Sequence, residues 1–167
     1  MLKFDVILMP TDLSSHSLRA LPYAIGLARQ FDAMLEVVSV VEPTLQVADV
    51  AWGSVDAAVA SERAKTVAQH VKEKIIDQLP SDIRAKSSIV HGNPAANIVR
   101  HANEVGADLI VMATHGRGGL GHMLMGSTAE AVVRKSSCPV MTLKLPAVVT
   151  VGDEDLQLAE QPAPDSK

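Results

Sequence analysis

Residues 108–136, DLIVMATHGRGGLGHMLMGSTAEAVVRKS, pass from an apolar run through a glycine cluster into a helix-like segment. DLIVMA (108–113) is short and continuously apolar after its aspartate, the pattern of a parallel strand covered on both faces. Ser127 to about Ser136 reads as a helix. Between them, Thr114–Thr128 holds five glycines, two histidines and an arginine. Glycine clusters in such places let a backbone come close to something, or let it flex.

The rest of the chain repeats the alternation. DVILMP (5–10), β-branched and bounded by proline, reads as a first strand. A helix then starts at Ser14 or Ser15 with a serine N-cap, and Leu18, Leu21, Ile25 and Ala28 share one face. Pro22 inside that pattern predicts a kink or a later start. LEVVSVV (35–41) is a second strand, and TLQVADVAWGS (44–54), without a clean period, a long connection. Val55–Leu79 follows as a helix, with Val67, Val71, Ile75 and Leu79 spaced four apart and Pro80 as the stop. IRAKSSIV (83–90) is the third strand. Asn93-Pro94 starts another helix that Gly106 ends, and PVMTLKL (139–145) is the fifth strand.

The order βαβαβαβαβ predicts an α/β protein: three α/β/α layers, doubly wound and Rossmann-like, with right-handed crossovers. Its five-stranded sheet is mainly parallel. The standard doubly wound arrangement sets strands 1 and 4 side by side, in order 3-2-1-4-5. A single domain is expected over 1–146. Residues 147–167 form an acidic tail; from Gly152, GDEDLQLAEQPAPDSK is proline-bearing and weakly apolar, as a flexible segment is.

Composition narrows the function classes. Aromatics are 2% of the 167 residues and the net charge is −4, so little is offered to stacked bases or to a phosphate backbone. No nucleic-acid partner is expected. Cys138 is the single cysteine, which excludes an intrachain disulfide framework and a thiolate metal cluster. MLKFDVILMP meets Asp5 and Pro10 too early for a secretory segment, and no run reaches the roughly 18 apolar residues of a membrane helix. A cytoplasmic protein is expected, with no membrane partner.

Ligands of open α/β sheets collect at the carboxyl ends of strands. Strand 1 ends in Pro10-Thr11-Asp12, and strand 4 in the glycine-rich stretch. Gly126 lets the backbone approach an anion. The amides of Ser127 and Thr128 lie in a first helical turn, their hydroxyls add donors, and Arg117 offers a bidentate contact. The competing reading makes Gly116, Gly118, Gly119 and Gly121 a loose surface loop, Ser127 an ordinary N-cap and Asp12 a turn former. GHMLMGST (121–128) has P-loop spacing, but Ser127 stands where the lysine must be. Gly116, Gly118 and Gly121 fit a dinucleotide fingerprint poorly, because the helix begins several residues later. His115 and His122, seven apart with no acidic residue or cysteine between them, do not make a metal pair. Met112, Met123 and Met125 read as packing residues. No catalytic set is visible: no histidine base is fixed beside Ser127, and no second carboxylate lies near Asp12.

VMATHGRGGLGHMLMGSTAEAVVRKSSCPVMTLK (111–144) resembles the C-terminal half of a universal stress protein domain of the UspA type. The nucleotide-binding branch of that family carries G-x2-G-x9-G-[ST]. Gly116, nine intervening residues, Gly126 and Ser127 match its second part, and Ala113 replaces its first glycine. VILMPTDLSSHSLRALPYA, VVSVVEP and VHGNPAANIVRHANEVGADLIVMATHGR extend the likeness over nearly the whole chain up to about Leu145. The resemblance implies an ATP pocket, with Mg²⁺. Pro10, Thr11 and Asp12 would line its base and ribose side, and Val40 would offer backbone hydrogen bonds to adenine. Met112, Ala113, His115, Gly116 and Arg117 would border ribose and α-phosphate, and Gly126, Ser127 and Thr128 would hold phosphates. A carboxylate facing phosphates repels them, so Asp12 must point to ribose, base or Mg²⁺. The resemblance also implies a homodimer paired through 139–145. The expected function is a nucleotide-responsive regulatory or interaction module in stress response, at most a slow ATP hydrolase. A dimer without nucleotide is the alternative.

Overall fold

The computed structural model describes residues 2–42, 57–114 and 125–144. Five strands, β1 (Val6–Pro10), β2 (Met34–Val41), β3 (Ala85–His91), β4 (Leu109–Ala113) and β5 (Val140–Leu143), form one sheet in the order β3-β2-β1-β4-β5. Every neighbouring pair is parallel. The expected order is found, and the sheet is wholly parallel. Among the described residues, five α-helices accompany it: α1 (Ser15–Leu18), α2 (Leu21–Phe31), α3 (Ala57–Lys74), α4 (Pro94–Val105) and α5 (Ser127–Lys135).

Strand order reverses after β3, and the reversal decides which face each helix covers. Ile7, Met9, Leu35, Val37, Leu109 and Val111 pack with Ala24 and Ala28 of α2 and Val71 of α3. Leu8, Val38, Ile110 and Met112 point the other way, onto Ala95, Ile98 and Ala102 of α4 and Ala129 and Val132 of α5. This alternation is the period-two geometry of a strand. Because both faces are covered, β1 and β4 are nearly apolar throughout.

Local signals explain most boundaries. Ser14 is the N-cap of α1, its hydroxyl accepting from Ser17 N–H at 3.1 Å. The single helix expected from Ser14 or Ser15 is two, because Pro22 lies in the first turn of α2, where its missing N–H does no harm. α3 stops at Lys74 rather than Leu79. Ile76–Gln78 is a 3-10 turn and Leu79 is extended (φ −70°, ψ 143°), as the residue before a proline prefers. Val71 and Ile75 are still fully buried, so the four-residue stripe marks the packed face beyond the helix end. Asn93 caps α4 through Ala96 N–H at 3.0 Å, and Gly106 closes it at φ 65°, a left-handed position suited to glycine. The connection 44–54, the start of α3 at Val55 and the tail 147–167 lie outside the described residues. Among the described residues, no helix is long and apolar enough to cross a membrane.

Candidate functional site

β1 is bonded to β2 on one side and β4 on the other, so the strand order reverses at its carboxyl end. Ile7 is paired with Leu109 and Leu8 with Ile110. Beyond these two pairs β1 runs on to Pro10 and β4 to Ala113, so the turn after β1 and the end of β4 both lie at the carboxyl edge of the sheet. α1 packs against β4, which keeps the turn after β1 next to the end of β4.

The turn itself is closely bonded. Thr11 N–H donates to Val38 C=O at 2.9 Å, the last link between β1 and β2. Asp12 Oδ1 accepts from Ser14 N–H at 3.0 Å and from Ser14 Oγ at 2.6 Å. Asp12 is therefore a turn former, and its carboxylate orientation is set by Ser14. Leu13, at φ 62°, donates its N–H to Thr11 Oγ1 at 3.0 Å. Thr11 is buried, and its hydroxyl holds the turn from inside. Pro10 is buried as the last residue of β1.

Val40 lies past the end of β1. Leu35 N–H and Val41 C=O bond toward β3, whereas Val38 C=O bonds toward β1. Alternate residues of a strand direct their backbone groups to the same side, so Val40 N–H and C=O face the β1 side, two residues beyond the last β1–β2 bond. Its side chain packs on the α4 face, beside Val90.

The start of α5 closes the other wall. Gly126 is the N-cap, at φ −71° and ψ 151°, and as a glycine it has no side chain with which to cap the helix. Ser127, expected as the cap in the plain reading, is already helical. Gly126 N–H donates to Thr114 C=O at 2.7 Å, which ties the helix start to the end of β4. Glu130 N–H, bonded to Gly126 C=O at 3.0 Å, makes the first bond of the helix ladder. The amides of Ser127, Thr128 and Ala129 precede it, at the positive end of the helix dipole. Ser127 is exposed and Thr128 half-buried. Helix starts of this kind favour a negative charge.

Pro10, Thr11, Asp12, Val40, Ala113, Gly126, Ser127 and Thr128 thus all lie along the carboxyl edge of the sheet. Met112 does not join them with its side chain, which is 6% exposed and packed in the α4–α5 core. Met125 is partly buried against the same core. His115, Gly116, Arg117, His122 and Met123 lie outside the described residues. Two residues of the turn were missed in the sequence, Ser14 as the partner of Asp12 and Ser17 as the partner of Thr11. The three-residue spacing of Thr11, Ser14 and Ser17 is the signal that was there.

A wholly parallel sheet of this order, with helices packed on both faces, defines a doubly wound α/β protein. The sequence profile of the Universal stress protein family matches residues 3–144. Universal stress protein MJ0531 of Methanocaldococcus jannaschii is 37% identical over 144 residues, covering 86% of this chain and 84% of its own. The solved structure of universal stress protein UspA from Lactobacillus plantarum matches with TM-score 0.69 at 24% identity, over 86% of this chain and 100% of that one. A universal stress protein solved in complex with cAMP matches with TM-score 0.60 at 23% identity, over 86% and 99%. The chain belongs to the universal stress protein family.

Proposed function

We propose that this protein binds an adenine nucleotide, ATP with Mg²⁺, at the carboxyl edge of β1 and β4, and acts as a nucleotide-responsive regulatory or interaction module of the stress response in the cytoplasm. One observation carries the reading. The first-turn amides of α5 follow a glycine N-cap that has no side chain to cover them, and the helix start is bonded to the end of β4, one strand from the Pro10–Asp12 turn. Gly126, Ser127 and Thr128 take the phosphates, Asp12 holds ribose or Mg²⁺, and Val40 offers its backbone to the base. Ala113, His115, Gly116 and Arg117 complete the ribose and phosphate side in this proposal, and Met112 contributes backbone alone. The relative solved with cAMP supports a nucleotide as the ligand class. Any ATP hydrolysis is slow, since no base is assigned to a water.

The reading of a dimer that binds no nucleotide has Ala113 in its favour, together with the Asp12 oxygen already engaged by Ser14. Mass spectrometry of nucleotide released from freshly purified, denatured protein separates the two. About one ATP or ADP per chain is expected. An empty chain whose melting temperature does not move with Mg-ATP would favour the second reading, and fast multiple turnover would require an enzyme.

The same proposal includes a homodimer paired through residues 139–145. β5 is an edge strand, and exposed edges invite pairing. Ile110 N–H bonds Pro139 C=O and Thr114 N–H bonds Leu143 C=O, so Val140 and Thr142 direct their backbone groups outward. Thr142→Pro removes an outward N–H and leaves the bonds to β4 in place. Light scattering is expected to find the parent chain dimeric and Thr142→Pro monomeric; an unchanged dimer would move the interface elsewhere.

A further inference from the structure

Thr11, Ser14 and Ser17 share one hydroxyl network beneath the turn after β1, and its protons can be assigned by counting. Ser14 Oγ has a single proton, and Asp12 Oδ1, 2.6 Å away, is an acceptor with none to give when ionised. Ser17 Oγ lies 3.1 Å from Ser14 C=O, also a pure acceptor, and gives its proton there. The 3.0 Å contact between Thr11 Oγ1 and Ser17 Oγ is then donated by Thr11. Thr11 Oγ1 in turn accepts from Leu13 N–H. Ser14 Oγ also lies 3.3 Å from Ser17 Oγ, but its one proton goes to the much closer Asp12 Oδ1, so the direction runs from Thr11 through Ser17 to the cap of α1.

Leu13 needs this support. Its φ of 62° is unfavourable for a residue with a Cβ, so the turn keeps this form only if neighbouring bonds hold it. Ser17 and Thr11 are 7% and 6% exposed, so no water readily replaces Ser17 as the acceptor for Thr11. We propose that Ser17 is a positioning residue for the nucleotide: through Thr11 and the Leu13 backbone it holds Asp12 facing the crevice before ligand arrives. This rests on the nucleotide reading above.

The test uses the full chain and Mg-ATP. Ser17→Ala is expected to weaken Mg-ATP binding by about tenfold, the effect of losing one preorganising hydrogen bond. It should also speed hydrogen exchange at the Leu13 amide in the ligand-free protein. Ala24→Gly, in the core of α2 away from the crevice, serves as the control for lost stability and should bind as the parent does. If Ser17→Ala does not fold, Ser17→Cys keeps the volume with a poor hydrogen-bonding atom and should show the same loss. Parent-like affinity or unchanged Leu13 exchange in a folded Ser17 variant overturns the positioning role and leaves the nucleotide reading standing. A parent chain that ignores Mg-ATP overturns both.

Discussion

Gly126→Val is expected to abolish nucleotide binding and leave the fold intact. Gly126 sits at φ −71° and ψ 151°, an extended conformation that valine adopts readily, so the substitution introduces no backbone strain. Its N–H to Thr114 C=O survives, and no side-chain cap is lost because glycine has none. What changes is the space over the amides of Ser127 and Thr128, which an isopropyl group now occupies. Two charge-assisted contacts of about 1.5–3 kcal/mol each are lost, enough for roughly a hundredfold or more in affinity. Calorimetric titration with Mg-ATP, beside a thermal melt, reads both halves of the prediction. A folded variant with parent-like affinity would move the phosphates away from α5.

The largest stability effect is expected at Glu36 and His101. Glu36 lies in β2 between Leu35 and Val37 and is 5% exposed. Its Oε1 accepts from Ser88 Oγ at 2.6 Å and meets His101 Nε2 of α4 at 3.0 Å. His101 is 7% exposed, with Nδ1 3.7 Å from Glu104 Oε2. The pair bridges sheet and helix inside an otherwise apolar layer. His101→Leu leaves the buried Glu36 Oε1 with Ser88 as its remaining partner and should destabilise the fold by about 1–3 kcal/mol. Glu36→Leu leaves a ring nitrogen and a hydroxyl short of a partner, at about 1–3 kcal/mol. The double variant replaces both with apolar groups and is expected to be more stable than His101→Leu alone. Urea unfolding of the four chains makes the comparison. Simple addition of the two single losses would show that the pair does not act as a unit.

That pair also marks where sequence reading stops. LEVVSVV reads as a strand because its apolar residues dominate the pattern, and Glu36 passes as a tolerated interruption. Its partner lies 65 positions away on another element, so local periodicity carries no sign of it. Elements defined by neighbours in the chain were legible: the cap at Asn93, the stop at Gly106, the apolar run of β4. Pro22 gave warning of a break without saying that Arg19 and Ala20 would make it. The helix expected through Leu79 ended at Lys74, because an apolar stripe records burial and says nothing of which backbone presents it. At the site, glycine spacing pointed to the start of α5. Only coordinates show that Gly126, rather than Ser127, is the cap, and that Asp12 is already bonded to Ser14. The neighbourhood of β1 and β4 came from the usual doubly wound order, a property of whole folds that no residue of either strand encodes.

Backbone amide chemical shifts, recorded while Mg-ATP is added to the folded chain, test the central claim most directly. The largest changes are expected at Ser127 and Thr128, with Asp12 and Val40 moving at the same ligand concentrations. Amides that stay still at millimolar Mg-ATP, or changes gathered at the opposite end of the sheet near Val6 and Met34, would contradict it.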